Sequence, residues 1–251
     1  MFTASGVRVD HVHGLRGNAT NLASDLRNLP FFNSCPNSLI EEIENAKIQS
    51  HYKKGQTIHY QGTPFFGVSC IVSGLVKKVK SLDNGDDIII TLAERGDFFG
   101  INCLLSKTTS FATYSTVAME NTTIYFFDKT FMQNQLHKYP QLAMHIISKL
   151  ENYTERDELR ILSLSKKSVR ERVAETLNNL ATSYGKVSGK NTVSIPHKLS
   201  RIELSSLAGT ANETFIRTLS ELQKEGIIKL KNGCIDVTNR DELKSCMGAV
   251  V

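Results

Sequence analysis

The chain has no tryptophan, few prolines, and no apolar run long enough to cross a bilayer, which excludes a transmembrane helix. Its first 25 residues hold charges and histidines where a secretory leader would hold an apolar core, so no leader is expected. Cysteine is sparse and scattered, at Cys35, Cys70, Cys103, Cys234 and Cys246. An odd number with no CxxC pair argues against a zinc ribbon and against a disulfide framework. Free thiols in a chain this long point to the cytoplasm. No metal site is expected. His11 and His13 form an HxH pair, but with no acidic or Cys partner nearby they read as a polar tail.

Net charge is also low, at +5, yet it is unevenly placed. From Lys166 onward there are fourteen Lys/Arg against nine Asp/Glu, whereas the chain before it is balanced at sixteen of each. That asymmetry is the footprint of a nucleic-acid-binding C-terminal part. The 251 residues suit one large or two ordinary domains, and 40% apolar content is enough for proper cores.

The most informative stretch is Leu199 to Val237. Ser200 followed by Glu203 is a capping box, with Leu199 and Leu204 spaced as a hydrophobic staple. This short helix should stop at Gly209. Thr210 and Glu213 repeat the box before a second helix that stops at Gly226. Two short helices with a Gly-containing turn make a helix-turn-helix. In the second, Phe215, Thr218, Leu219 and Leu222 share one face. Asn212, Glu213, Ile216, Arg217 and Ser220 fall opposite, a face suited to a major groove: Arg pairs with guanine, Glu accepts from cytosine, Asn reads adenine. Ser200, Arg201 and Lys198 would lie by the phosphate backbone. IIKLK, NG and CIDV then read as a hairpin, the wing of a winged helix.

Ahead of this part, SLIEEIENAK forms a short helix stripe. From Gln49 to Asp128, β-rich runs alternate with glycines, which indicates a sandwich or barrel, with a hairpin signal at DNGD (83–86). From Pro140 a helical stripe of Leu142, Ile146, Lys149, Leu150, Tyr153 and Leu159 begins. Either a partner helix from a second subunit covers it, or it packs on its own β domain. The segment 169–185 is a further amphipathic helix.

KKGQTIHYQG, VSGLVKK, GDFFG, the long helix and SRIELSSLAGTANETFIRTLSELQKEGII, in that order, resemble the Crp–Fnr family of bacterial transcription regulators. The likeness spans roughly Leu29 to Asp241. It implies an α+β fold: a mobile segment 1–24, a cyclic-nucleotide-binding-like jelly roll over 25–139, a dimerisation helix over 140–165 with Leu142, Ile146, Lys149, Leu150 and Tyr153 at the interface, and a winged helix-turn-helix over 166–251. It also implies a homodimer that binds double-stranded DNA at an inverted repeat through residues 211–225, with RNA polymerase as a further partner. In the family, a Glu and an Arg four residues on read a G–A step; here these are Glu213 and Arg217. The residue before the Arg is often Gly or Ser in the family and here is Ile216.

The sensor part departs from the family pattern. Cyclic-AMP receptors carry Gly-Glu after the GDF segment and Arg-Ser about ten residues later. Here Gly100 is followed by Ile101, and the second pair falls at Ala112 and Thr113. With no Arg or Lys between Lys107 and Lys129, a buried phosphate would be poorly held. Cyclic AMP is therefore not expected as effector. An effector pocket, if present, involves Gly100, Ile101, Asn102, Cys103, Ala112 and Thr113. The cysteine cluster of the oxygen-sensing branch is missing. A haem needs an axial ligand, for which His51, His59 and Cys103 are candidates that no spacing singles out; no cofactor is expected. An enzyme of cupin type would need HxH followed by Glu and a later His inside the barrel, which the sequence does not offer. A stand-alone ligand-binding module acting through protein partners is the other alternative, disfavoured by the wing and the two-faced helix.

Overall fold

The computed structural model describes residues 26–188, 192–195, 199–231 and 233–248. The N-terminal segment with His11 and His13, and Lys198, lie outside these residues.

A short helix α1 (Asn37–Ala46) buries Leu39, Ile40 and Ile43. Eight strands follow: β1 (Ile48–Tyr52), β2 (Thr57–His59), β3 (Gly67–Ser73), β4 (Val76–Ser81), β5 (Asp87–Ala93), β6 (Phe98–Phe99), β7 (Ser115–Ala118) and β8 (Thr122–Asp128), with the one-turn helix α2 (Asn102–Leu105) after β6. They pair as two antiparallel four-stranded sheets, β1-β8-β3-β6 and β2-β7-β4-β5. This is the jelly-roll arrangement, in which the inner faces of two sheets share a core. The β4–β5 hairpin closes over 82–86, where Gly85 takes φ +87.

Helix α3 (Lys129–Lys138) is capped by Asp128, whose carboxylate accepts from Thr130 and Phe131 N–H. The long helix α4 (Pro140–Lys166) starts with Pro at its first turn, where the missing N–H costs nothing. Leu142 and Ile146 are buried in the jelly-roll core, and Leu150 and Tyr153 pack against it. Burying each of the first two side chains stabilises by about 1.5–3 kcal/mol. Lys149 pairs with the buried Asp97 at 2.9 Å. The Tyr153 hydroxyl accepts from Phe98 N–H at 2.8 Å and donates to Asp97 at 3.3 Å. The face assigned from sequence to a dimer seam is therefore the face that holds α4 to its own β domain. Met144, Ile147, Leu159, Ile161, Leu162 and Leu164 are the large apolar residues of α4 left exposed, so Leu159 does not continue the buried stripe.

Helix α5 (Val169–Tyr184) opens with a second capping box, Ser168 and Glu171. Two short strands, β9 (Lys186–Val187) and β10 (Val193–Ile195), precede the helices α6 (Arg201–Ala208) and α7 (Asn212–Lys224). The hairpin β11 (Ile228–Lys231) and β12 (Cys234–Val237) adds β10 and β9 to form a four-stranded wing, ordered β11-β12-β10-β9. Helix α8 (Arg240–Ser245) closes the described fold. One core joins α5, α6, α7 and the wing, and it extends to Val79, Ile89 and Leu92 on the outer face of the jelly roll. All five cysteines are free thiols. No helix among the described residues is long and apolar enough to cross a membrane.

Candidate nucleic-acid interface

Helix α6 begins with the box expected from sequence: Ser200 Oγ accepts from Glu203 N–H, and the Glu203 carboxylate accepts from Ser200 N–H at 2.8 Å. Such a cap contributes about 1 kcal/mol. Gly209 ends the helix at φ +64, and an added Cβ there would stand 2.5 Å from Leu164 Cδ2. The left-handed backbone is what favours glycine here, since the Leu164 methyl ends a flexible side chain that can move aside.

The second capping device does not form as expected. Helix α7 is entered through Ala211, which has no side chain to cap it, and Thr210 lies outside the helix. Thr210 N–H is already committed to Ser205 O within the turn that Gly209 creates. The helix otherwise follows its pattern. Phe215, Thr218, Leu219 and Leu222 are buried. Past its C-terminal end, Gly226 takes φ +79 while Ile227 N–H bonds to Leu222 O, a Schellman-type stop.

On the opposite face Glu213, Ile216, Arg217 and Ser220 are exposed. The i,i+4 ion pair between Glu213 and Arg217 is absent, and neither side chain has an ionic or hydrogen-bonded partner among the described residues. Both are free to meet base edges. Asn212 sits at the flank of this face, half-buried, with its Oδ1 buried and unpartnered. Ser200 is exposed. Arg201 is half-buried, its guanidinium pulled down by burial while nearby Cys234 pulls it back up. In the wing turn, Gly233 takes φ +79; Asn232 lies outside the described residues.

The residues considered for an effector pocket are mostly packed. Gly100, Ile101, Cys103 and Ala112 are buried, whereas Asn102 and Thr113 are exposed. A Cβ on Gly100 would meet Gly67 O at 2.6 Å and the Phe65 ring at 3.0 Å. Cys103 Sγ donates to Gly67 O at 3.4 Å. His59 stacks on Phe65 with centroids 4.1 Å apart, and burial lowers its pKa. His51 is exposed on the other sheet, bonded to Gln49 and Thr123. Among the described residues no three His, Cys, Asp or Glu side chains gather as a metal site. On β4, Lys78 stands over the rings of Tyr114 and Tyr153 at 5.1 and 5.3 Å, and burial holds its pKa below the usual lysine range.

A jelly roll joined through a long helix to a winged helix-turn-helix, with an exposed polar face on the second helix, defines a DNA-binding transcription regulator. The comparisons agree part by part. Residues 49–139 match the cyclic nucleotide-binding domain model, and residues 171–246 match the Crp-like helix-turn-helix domain model. The chain is 25% identical to the global nitrogen regulator of Synechococcus elongatus over 80% of its own length and 92% of that protein's. It is 27% identical to electron transport regulator A of Shewanella oneidensis over 78% of its length and 77% of that protein's. The fold is shared with FixK2 from Bradyrhizobium japonicum, at TM-score 0.69 and 22% identity over 82% of this chain and 99% of that one. It is shared likewise with a CooA mutant from Carboxydothermus hydrogenoformans, at TM-score 0.69 and 22% identity over 92% and 97%. The chain belongs to the Crp–Fnr family of transcription regulators.

Proposed function

We propose that this regulator acts as a homodimer on an inverted repeat, reading each half-site through α7, under the control of an effector other than cyclic AMP. The observation that carries this reading is the pair Glu213 and Arg217, exposed four residues apart on one helix face and without an ionic or hydrogen-bonded partner among the described residues. Arg217 is suited to guanine O6 and N7, and Glu213 to the cytosine amino group. A twofold dimer then asks for two half-sites about one helical turn apart, each with a G–A step.

Dimerisation is supported by the outer face of α4. Met144, Ile147, Ile161 and Leu162 leave exposed apolar surface along α4 that a second copy could cover. Against cyclic AMP stand the packing around Gly100 and the absence of any Arg or Lys between Lys107 and Lys129, where the family carries its phosphate-binding Arg; the nearby Lys80 Nζ is bonded to Thr113 O at 2.9 Å. RNA polymerase is the partner through which such a dimer would act at a promoter. Selection of bound sequences from random duplex DNA tests the reading: an enriched inverted repeat containing the G–A step is expected, and enrichment of no motif contradicts it.

A further inference from the structure

The turn between β1 and β2 presents two lysines on a fixed backbone. Lys53 O accepts from Gln56 N–H at 3.0 Å, Gln56 Oε1 accepts from Lys53 N–H at 2.6 Å, and Gly55 takes φ +86. This is a β-turn with glycine at its third position, where the positive φ is needed. Gly55 N–H bonds to Ala118 O at 2.7 Å and Ala118 N–H to Gln56 O at 2.9 Å, so β7 holds the turn in place. Lys53 and Lys54 are exposed, and neither ammonium has an ionic or hydrogen-bonded partner among the described residues.

Lys54 and Gly55 meet Leu199, Ser200 and Glu203 around a small recess that Lys77 and Met119 also line. The turn therefore borders the N-terminal end of α6, the helix that a helix-turn-helix lays across the phosphate backbone. Two ties fix this placement, from Lys77 to Glu203 at 2.5 Å and from Ile89 N–H to Ser206 Oγ at 2.8 Å. So does the core that Val79, Ile89 and Leu92 share with the helix-turn-helix. Glu203 is the carboxylate lining the recess, and it is already matched by Lys77. Lys53 and Lys54 are left as unneutralised positive charge beside the start of α6.

We propose that the jelly roll is itself part of the DNA-binding surface: Lys53 and Lys54 meet phosphates that flank the half-site, next to those met at the start of α6. The partner is the backbone of double-stranded DNA, contacted without regard to sequence. Duplex DNA carries about one negative charge per 1.7 Å of its axis, so DNA that continues outward past Ser200 offers phosphates to both ammonium groups. The turn is already in its final backbone shape, and only side-chain freedom is lost on contact. The contact rests on the reading by α7 proposed above and extends the footprint beyond the inverted repeat.

The test compares the full chain with its Lys53→Gln/Lys54→Gln variant on three duplexes: the selected inverted repeat alone, the same repeat extended by about one helical turn on each side, and random DNA of the longer length. Fluorescence anisotropy across a salt series gives affinity and salt slope. The parent should bind the extended repeat more tightly than the short one and with a steeper slope. The variant should lose that gain, its slope on the extended repeat falling by about 0.9 for each phosphate contact removed, while it stays within about twofold of the parent on the short repeat. The loss should be the same for flanks of different sequence. Lys53→Arg/Lys54→Arg should keep the gain, and Lys107→Gln, which removes an exposed lysine from the loop after α2, should bind like the parent. Circular dichroism melts check folding, and Lys54→Gln alone decides if the double variant does not fold. A parent that does not prefer the selected repeat to random DNA overturns the α7 reading and this contact together. A parent that does prefer it, with the lysine variant equal to the parent on the extended repeat or equally weakened on both lengths, overturns the contact alone.

Discussion

Lys77 on β4 donates to Glu203 on α6 at 2.5 Å, joining the jelly roll to the first helix of the helix-turn-helix. A second tie lies nearby, from Ile89 N–H to Ser206 Oγ at 2.8 Å. Burial by itself would raise the Glu203 carboxyl. The hydrogen bonds from Lys77 and from Ser200 N–H outweigh it and hold the carboxyl below its usual range.

The folded pKa of Glu203 is thus lower than the unfolded one. Its contribution to stability is complete above the unfolded value of about 4.3 and fades as pH falls through the folded value. Lys77→Met should cost about 1–3 kcal/mol at pH 7, and should cost clearly less in a Glu203→Gln background. Denaturant titrations at pH 7 and below pH 4 check both points. An equal cost in the two backgrounds would contradict the coupling.

The two faces of α4 predict opposite outcomes. Ile146→Glu places a charge in the jelly-roll core, where Ile146 is 6% exposed, and should destabilise the fold by several kcal/mol, about the upper end for core substitutions. Ile147→Glu with Ile161→Glu changes residues 55% and 62% exposed. The melting curve of this double variant should stay near the monomer's own stability while sedimentation shows a shift to monomer. A dimer that persists would place the seam elsewhere.

Calorimetry with cyclic AMP should give no binding tighter than about 1 mM, or about 4 kcal/mol. A micromolar constant would show that the Gly67–Gly100 packing opens to admit a cyclic phosphate without the usual Arg.

Local spacing carried much of this structure in the sequence. The Ser200–Glu203 box, the left-handed Gly209 and the buried face Phe215, Thr218, Leu219 and Leu222 all follow from contacts within one or two helical turns. The Ser168–Glu171 box has the same spacing and was equally readable. Thr210 failed as a cap because the turn through Gly209 had already committed its backbone. The periodicity of α4 marks a buried face but does not say against what; Asp97, the anchor for Lys149 and Tyr153, comes from a distant loop. Strands β9 and β10, of two and three residues, are too short to show a period. The groove between β5, α4, α5 and Leu207 of α6 draws on four separated segments, so no sequence window contains it.

Phosphate and base contacts separate by their response to salt and to sequence. Lys198→Ala, if this side chain meets phosphate alone, should weaken specific and random DNA alike and lower the salt slope by about one. Electrophoretic shifts across a salt series measure it. A loss confined to one sequence would make Lys198 a base reader.

Competitive binding of the parent and Arg217→Ala to the selected duplex, to single-base variants of its G–A step and to random DNA tests base reading most directly. Arg217→Ala should cost about 1–3 kcal/mol on the specific site, relax the preference at one base pair of each half-site, and leave random binding nearly unchanged. The same loss on specific and random DNA would mean that Arg217 reads no base and that the exposed face of α7 is not the recognition surface.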